Sequence, residues 1–280
     1  MQEWTLSGPG SRPIAGTTHP ASGGVSRGHM VLAHGFKGYK DYGFFPWLAE
    51  HVAQCGVDVH RFNFSCSGMD HGDGPFDEDA FTDDTWNRQV DDVVHVLTML
   101  ADGTLDGGGD VLLVGHSRGG VSSLLAAGRH AGSEAMSNLC GVVTLAAPST
   151  CLSMDQSQQN RLLADGVLSS PSSRTGQDLK VGRAFLQDQL DDPSGHDLLR
   201  QVQAVTVPIT VIHGTDDDAV DVSAADEISL AAGGCPVHRI LGSNHVFNTP
   251  NPSAIDHDPS DALRQVGVHL IEAASCLGGH

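Results

Sequence analysis

The sequence predicts an α/β protein, with a mostly parallel central sheet flanked by helices. It reads as one domain over residues 1–280, with a helical insertion at about 149–204. Three observations predict this class. Short apolar runs such as Met30-Val31-Leu32-Ala33, Val111-Leu112-Leu113-Val114 and Val142-Val143-Thr144-Leu145 suit strands buried on both faces. Between them lie segments with apolar residues at helical spacing. One run also passes straight through Gly115-His116-Ser117-Arg118-Gly119 into a second apolar helix, a strand–turn–helix with a serine at the turn.

In chain order, residues 1–28 are rich in Gly, Ser, Pro and Thr. They predict an edge hairpin around Trp4-Thr5-Leu6 and a loose connector through Ser22-Gly23-Gly24. The first strand covers 29–33 and runs into His34-Gly35-Phe36-Lys37-Gly38. A helix over about 44–54 stops at Gly56, and alternation over 57–64 predicts the next strand. Residues 70–84 are dense in Asp, Glu and Gly and read as a solvated loop. Asp70, His71 and Asp73 are ligand-type residues, but their spacing matches no metal motif. Val90, Val93, Val94, Leu97 and Leu100 give a helix over 85–100.

After the serine turn, 141–145 is a further strand. The pattern then breaks over 149–204, which is rich in Ser, Gln and Asp, with amphipathic pieces at 179–190 and 197–205. This stretch predicts helices lying over the strand ends, where a lid would sit. Strands at 207–212 and 237–241 alternate with helices at 224–231 and 258–274. There are no internal repeats and no second core.

Composition narrows the function. With 15 basic and 34 acidic residues the formal net charge is −19, which excludes nucleic acid and anionic membrane surfaces as expected partners. No window approaches the ~18 apolar residues of a membrane span, and no basic start with an apolar core marks a signal, so the expectation is a soluble, cytoplasmic protein. The six cysteines are scattered, without Cys-x-x-Cys. They read as mostly buried small hydrophobes in a reducing compartment rather than a disulfide framework.

A serine hydroxyl is a weak nucleophile near neutral pH. It needs an imidazole base, and that imidazole needs a carboxylate to fix its tautomer. In a sheet of this kind the order is Ser, Asp, His, each in a turn after a strand. Ser117, the acidic cluster after 207–212 and His245 after 237–241 supply that order. His213 stands in the acid's turn and His238 within a strand, so His245 is the expected base.

With these residues in order the chain resembles the α/β-hydrolase superfamily, and through His34-Gly35-Phe36-Lys37-Gly38-Tyr39-Lys40-Asp41 with Arg61-Phe62-Asn63-Phe64-Ser65 it resembles more narrowly the bacterial esterase- and serine-peptidase-like branch. His34-Gly35-Phe36 is similar to the family's oxyanion segment, and Gly115-His116-Ser117-Arg118-Gly119 to its nucleophile elbow. His213-Gly214-Thr215-Asp216-Asp217 with Val220 is similar to its acid turn, and Gly242-Ser243-Asn244-His245 to its last motif. The resemblance implies Ser117, Asp217 and His245 as the catalytic triad, with Asp216 as the runner-up acid. It also implies an oxyanion hole from the backbone N–H groups of Phe36 and Arg118, with His34 and His116 bracing their loops.

The expected function is therefore carboxylesterase-like. Ser117 forms an acyl-enzyme with a small acyl substrate, and no metal or organic cofactor is needed. An amidase or aminopeptidase, a thioesterase or an acyltransferase would share the triad. An aminopeptidase would need acids facing the pocket, for which the insertion offers Asp155, Asp165 and Asp188. A non-catalytic binding protein on the same fold would carry a damaged triad.

Overall fold

A computed structural model describes residues 1–71, 76–105, 107–172, 176–256 and 258–278. The chain opens with an antiparallel hairpin, β1 (Gln2–Ser7) and β2 (Pro13–His19), where the Trp4 indole N–H donates to the Thr18 hydroxyl at 3.0 Å. β3 (His29–Ala33), α1 (Phe45–Ala53), β4 (Asp58–Phe62), the short α2 (Glu78–Thr82) and α3 (Trp86–Ala101) follow. β5 (Val111–His116), α4 (Arg118–Arg129) and β6 (Leu139–Leu145) form the centre.

The insertion holds α5 (Gln156–Asp165), an antiparallel pair β7 (Val167–Pro171) and β8 (Asp178–Gly182), α6 (Ala184–Asp191) and α7 (Leu198–Ala204). β9 (Ile209–Gly214), α8 (Ser223–Ala231), β10 (Val237–Ile240) and α9 (Asp261–Ala273) complete the chain.

The eight-stranded sheet runs β1-β2-β4-β3-β5-β6-β9-β10. The first two pairings are antiparallel, and every pairing from β4 onward is parallel. Because strand side chains alternate, β3 sends Met30 and Leu32 to one face and Val31 and Ala33 to the other, and all four are buried. One face packs against α1 and α9 through Leu48, Val52, Leu263 and Leu270. The other packs against α3, α4, α7 and α8 through Val93, Leu124, Val202 and Ile228. Each such side chain contributes roughly 1.5–3 kcal/mol on burial, which explains why the runs read as near-continuous apolar stretches.

Three expectations need correction. The insertion is not wholly helical. Asp178-Leu179-Lys180-Val181 alternates exposed and buried, a period of two, and forms β8 where the amphipathic pattern predicts a helix over 179–190. Gly166, in the left-handed region at φ 82°, closes α5 and turns the chain into β7. The cysteines are not all free: Cys140 at the start of β6 bonds Cys276 after α9, with Cα atoms 5.9 Å apart. Their 136-residue separation hides the pair from spacing arguments. Cys66 and Cys151 are buried and Cys55 is exposed. The 57–64 strand is also shorter than its alternation suggests, ending at Phe62. Among the described residues no helix is long and apolar enough to cross a membrane.

Asp92 on α3 is 1 % exposed and accepts a hydrogen bond from Ser65 N–H at 2.7 Å, anchoring the turn after β4. Burial pushes its carboxyl up from 3.8 to about 7, against the hydrogen bonds from Ser65. The native state therefore holds this proton more tightly than the unfolded chain, and its contribution to stability is lost as pH rises from about 4 to about 7. Asp92→Asn keeps an acceptor for Ser65. It should be the more stable protein at pH 8, by at most on the order of 4 kcal/mol, because each tenfold change in proton affinity is worth ~1.4 kcal/mol. Urea denaturation at pH 8 and pH 4 checks this, and the gap should close at the lower pH.

Candidate active site

β5 ends at His116 and α4 begins at Arg118, leaving Ser117 alone in the turn at φ 52° and ψ −121°. A non-glycine residue in this region is strained and persists only where its surroundings over-determine it. Here they do. Ser117 N–H donates to Leu145 O on β6 at 2.8 Å. A side chain at Gly115 would collide with the Gly119 carbonyl, and one at Gly119 with the carbonyl oxygens of Ala33 and His34. Only glycine at both positions lets β5, the loop after β3 and α4 approach this closely.

The Ser117 hydroxyl lies 3.0 Å from His245 Nε2, and His245 Nδ1 lies 2.8 Å from Asp217 Oδ2. With its proton on Nδ1, His245 donates to the carboxylate and accepts from the hydroxyl. Asp217 follows β9, with its side chain fully buried. Its Oδ1 accepts from the N–H groups of Ala219 and Val220, both at 2.9 Å, and His213 Nε2 lies 3.2 Å from Oδ2. Burial opposes the charge, but hydrogen bonds from His213, His245 and the Val220 N–H outweigh it, holding the carboxyl well below the usual range. Asp216 turns to the surface, where it accepts from Thr215, and Asp221 caps the Ser223 N–H.

His245 sits in a loop between β10 and α9 knitted by two asparagines. Asn244 Oδ1 accepts from the N–H groups of Val246 and Asn248 at 3.1 and 2.8 Å, and Asn248 Oδ1 accepts from Asn244 N–H at 3.0 Å. His116 reaches across from β5, its Nε2–H donating to the His245 carbonyl at 2.9 Å. Burial, with the nearby His245 imidazole second, pushes His116 down to about 3, so it stays neutral. His34 Nδ1–H donates to Gly35 O at 2.9 Å and Nε2 accepts from Phe64 N–H at 3.2 Å, so the ring ties the 34–38 loop to the segment that follows β4. Burial lowers it to about 4.

Sequence reasoning missed His213 and the Asn244–Asn248 pair. His213 is the first residue of the His-Gly motif itself, and its position four residues before Asp217 was the available signal. The Arg118 side chain was missed too. It folds under the elbow, with its guanidinium carbon 4.6 Å from the ring centre of Phe185, 4.7 Å from Trp86 and 5.3 Å from Phe36, and a nitrogen 3.1 Å from Asp84. Burial raises the Asp84 carboxyl to about 6, against the pull of Arg118.

Ser117 and His245 open into a cavity of about 220 Å³ whose walls include Phe36, Tyr42, Phe45, Val246 and Pro171. Pro171, at the end of β7, brings the insertion to the cavity, and Lys37 Nζ donates to its carbonyl at 2.8 Å. Asp155 caps α5 and Asp188 accepts from Asn87, and neither these nor Asp165 lines the cavity. The ligand-type trio of the acidic loop does not assemble among the described residues. His71 contacts Thr5, Asp70 offers its carbonyl to Asn63, and Asp73 lies outside them.

The fold and this serine turn place the protein in a known class. Residues 30–256 match the Alpha/beta hydrolase family, and the chain belongs to that family. Among solved structures it is similar to Est1E from Butyrivibrio proteoclasticus with ferulic acid bound, at TM-score 0.72 and 18% identity over 97% of this chain and 98% of that one. It is similar also to a monoacylglycerol lipase from Paleococcus ferrophilus, at TM-score 0.67 and 12% identity over 98% of both chains. A third similar structure is an alpha-beta serine hydrolase homologue from Coxiella burnetii, at TM-score 0.61 and 15% identity over 97% and 96%. At such identities the likeness is one of fold. No curated protein matches the sequence significantly.

Gly119→Ala should force the elbow against the 33–34 carbonyls and destabilise the protein by about 1–3 kcal/mol, in the range of overpacking substitutions. A shift of the urea midpoint to lower concentration checks it.

Proposed function

We propose that the protein is a serine hydrolase of carboxylic esters, with Ser117 as nucleophile, His245 as general base and acid, and Asp217 as the orienting carboxylate. The observation that carries this reading is the continuous hydrogen-bond chain from the Ser117 hydroxyl through His245 to Asp217 at the mouth of a cavity. Ser117 Oγ attacks the acyl carbon while its proton passes to His245 Nε2. The tetrahedral intermediate collapses, and His245 gives the proton to the departing alcohol. Water then attacks the acyl-serine, losing its proton to His245, which returns it to Ser117.

The oxyanion is held by the backbone N–H groups of Phe36 and Arg118. Arg118 is the first residue of α4, so its N–H has no carbonyl partner within the helix. The helix N-terminus adds its partial positive charge. One such donor is worth on the order of 3 kcal/mol in the transition state. The insertion, with Pro171 over the cavity, serves as the lid of a single domain.

Two features disfavour an aminopeptidase and a silent binding protein, and a third bears on the size of the acyl group. Among the described residues the cavity's lining includes Lys37 and no carboxylate, which disfavours recognition of a free amino terminus. The intact Ser–His–Asp chain disfavours a silent binding protein. A volume of about 220 Å³ lies below the ~300–1,000 Å³ of drug-sized ligand sites, which favours short acyl groups.

On p-nitrophenyl esters, acetate and butyrate should be cleaved faster than laurate and palmitate. Ser117→Ala should remove this activity. Asp217→Asn should lower kcat by about 10⁴, while Asp216→Asn leaves it within a few-fold. Inert wild-type protein, or equal losses in the two aspartate variants, would count against the assignment.

A further inference from the structure

β10 is the outer strand of the sheet, hydrogen-bonded to β9 alone. Its second residue, His238, faces α9, where His269 and Glu272 stand one turn apart. The two imidazole rings stack with centres 3.8 Å apart and planes 23° from parallel, and His269 Nδ1 lies 2.9 Å from Glu272 Oε2. One ligand atom from each of the three residues falls within 4.8 Å of the others.

Two imidazole nitrogens and one carboxylate oxygen form a common donor set for zinc, and soft or hard ions fit it less well. An ion bound at ~2.1 Å in a tetrahedron holds its donors ~3.4 Å apart, so the cluster must tighten by a little over an ångström, and because an imidazole lone pair lies in its ring plane the two stacked rings must also turn until both point at one ion. The backbones are already fixed, because β10 is paired in the sheet and Leu263, Val266 and Leu270 bury one face of α9. The adjustment falls to side chains with room to move: His269 is 24 % and Glu272 61 % exposed, which also leaves the site open to an ion and to water.

The geometry points to a binding site for a divalent first-row transition ion, zinc foremost, formed by His238, His269 and Glu272 with water in the fourth position. The ion takes no part in the reaction proposed for Ser117. It ties the outer strand to the last long helix, the two elements that bracket the 241–260 segment carrying His245. An ion that binds only this folded arrangement stabilises it.

The test uses the tag-free full chain, stripped with EDTA, dialysed, and titrated with zinc chloride by calorimetry at pH 7.5. One saturable site is expected, with Tm raised by about 5 °C or more at free zinc ~100-fold above Kd. His238→Ala and Glu272→Gln should each weaken zinc binding at least tenfold while the metal-free proteins react with a fluorophosphonate at the wild-type rate. Zinc binding should persist in His245→Ala, which separates this site from the serine's imidazole. The proposal fails if wild-type protein shows no saturable binding, if His238→Ala binds zinc as wild type does, or if His245→Ala abolishes binding. Because Glu272 is exposed, Glu272→Gln keeps the test decisive even if His238→Ala does not fold.

Discussion

The close approach of three backbones at the serine turn is the constraint on which the rest of the structure depends. β5, the loop after β3 and the start of α4 meet where Gly115 and Gly119 leave no room for a side chain, and Ser117 is held at φ 52° between them. That strain costs on the order of 1–3 kcal/mol and must be offset elsewhere. The offset comes from the sheet. β5 is central, paired on both edges, with Leu113 and Leu112 buried on opposite faces. A central strand buried on both sides leaves the turn little freedom to relax, and the hydroxyl is presented at the end of a rigid element.

Charge imposes a second constraint. Asp217 is a carboxylate with no solvent exposure, which would be costly without compensation. Two backbone N–H groups on one oxygen and two imidazoles near the other supply it. The same contacts fix the direction from which His245 is held, while the Asn244–Asn248 pair and the His116 hydrogen bond fix its loop. The hydroxyl, imidazole and carboxylate come from turns after β5, β10 and β9, so the geometry rests on strand register more than on any single loop.

Most of this is legible in the sequence where local chemistry dictates structure. The strand–turn–helix around Ser117 follows from an apolar run meeting two glycines. Asp217 and His245 follow from their order and their places after strands. Boundaries shift by one to three residues where helix caps decide them, as at Thr85 and Ser260. What escapes depends on distant partners. The Cys140–Cys276 bond joins positions far apart in sequence. The Arg118 cage is assembled from Phe36, Trp86 and Phe185, and the second imidazole on Asp217 needs the fold of the β9 turn. The β7–β8 hairpin is hidden for a different reason: its period-two stretch is short and abuts a true helix, so a helical pattern fits across both.

The central claim is that Ser117 is made nucleophilic by His245. Its most direct test is the rate of fluorophosphonate labelling, followed by intact-protein mass and peptide mapping, in wild-type protein and His245→Ala. The account predicts one adduct, on Ser117, formed at least 100-fold more slowly in the variant, of the order expected for loss of a general base. Equal labelling rates in the two proteins, or an adduct on another residue, would contradict it.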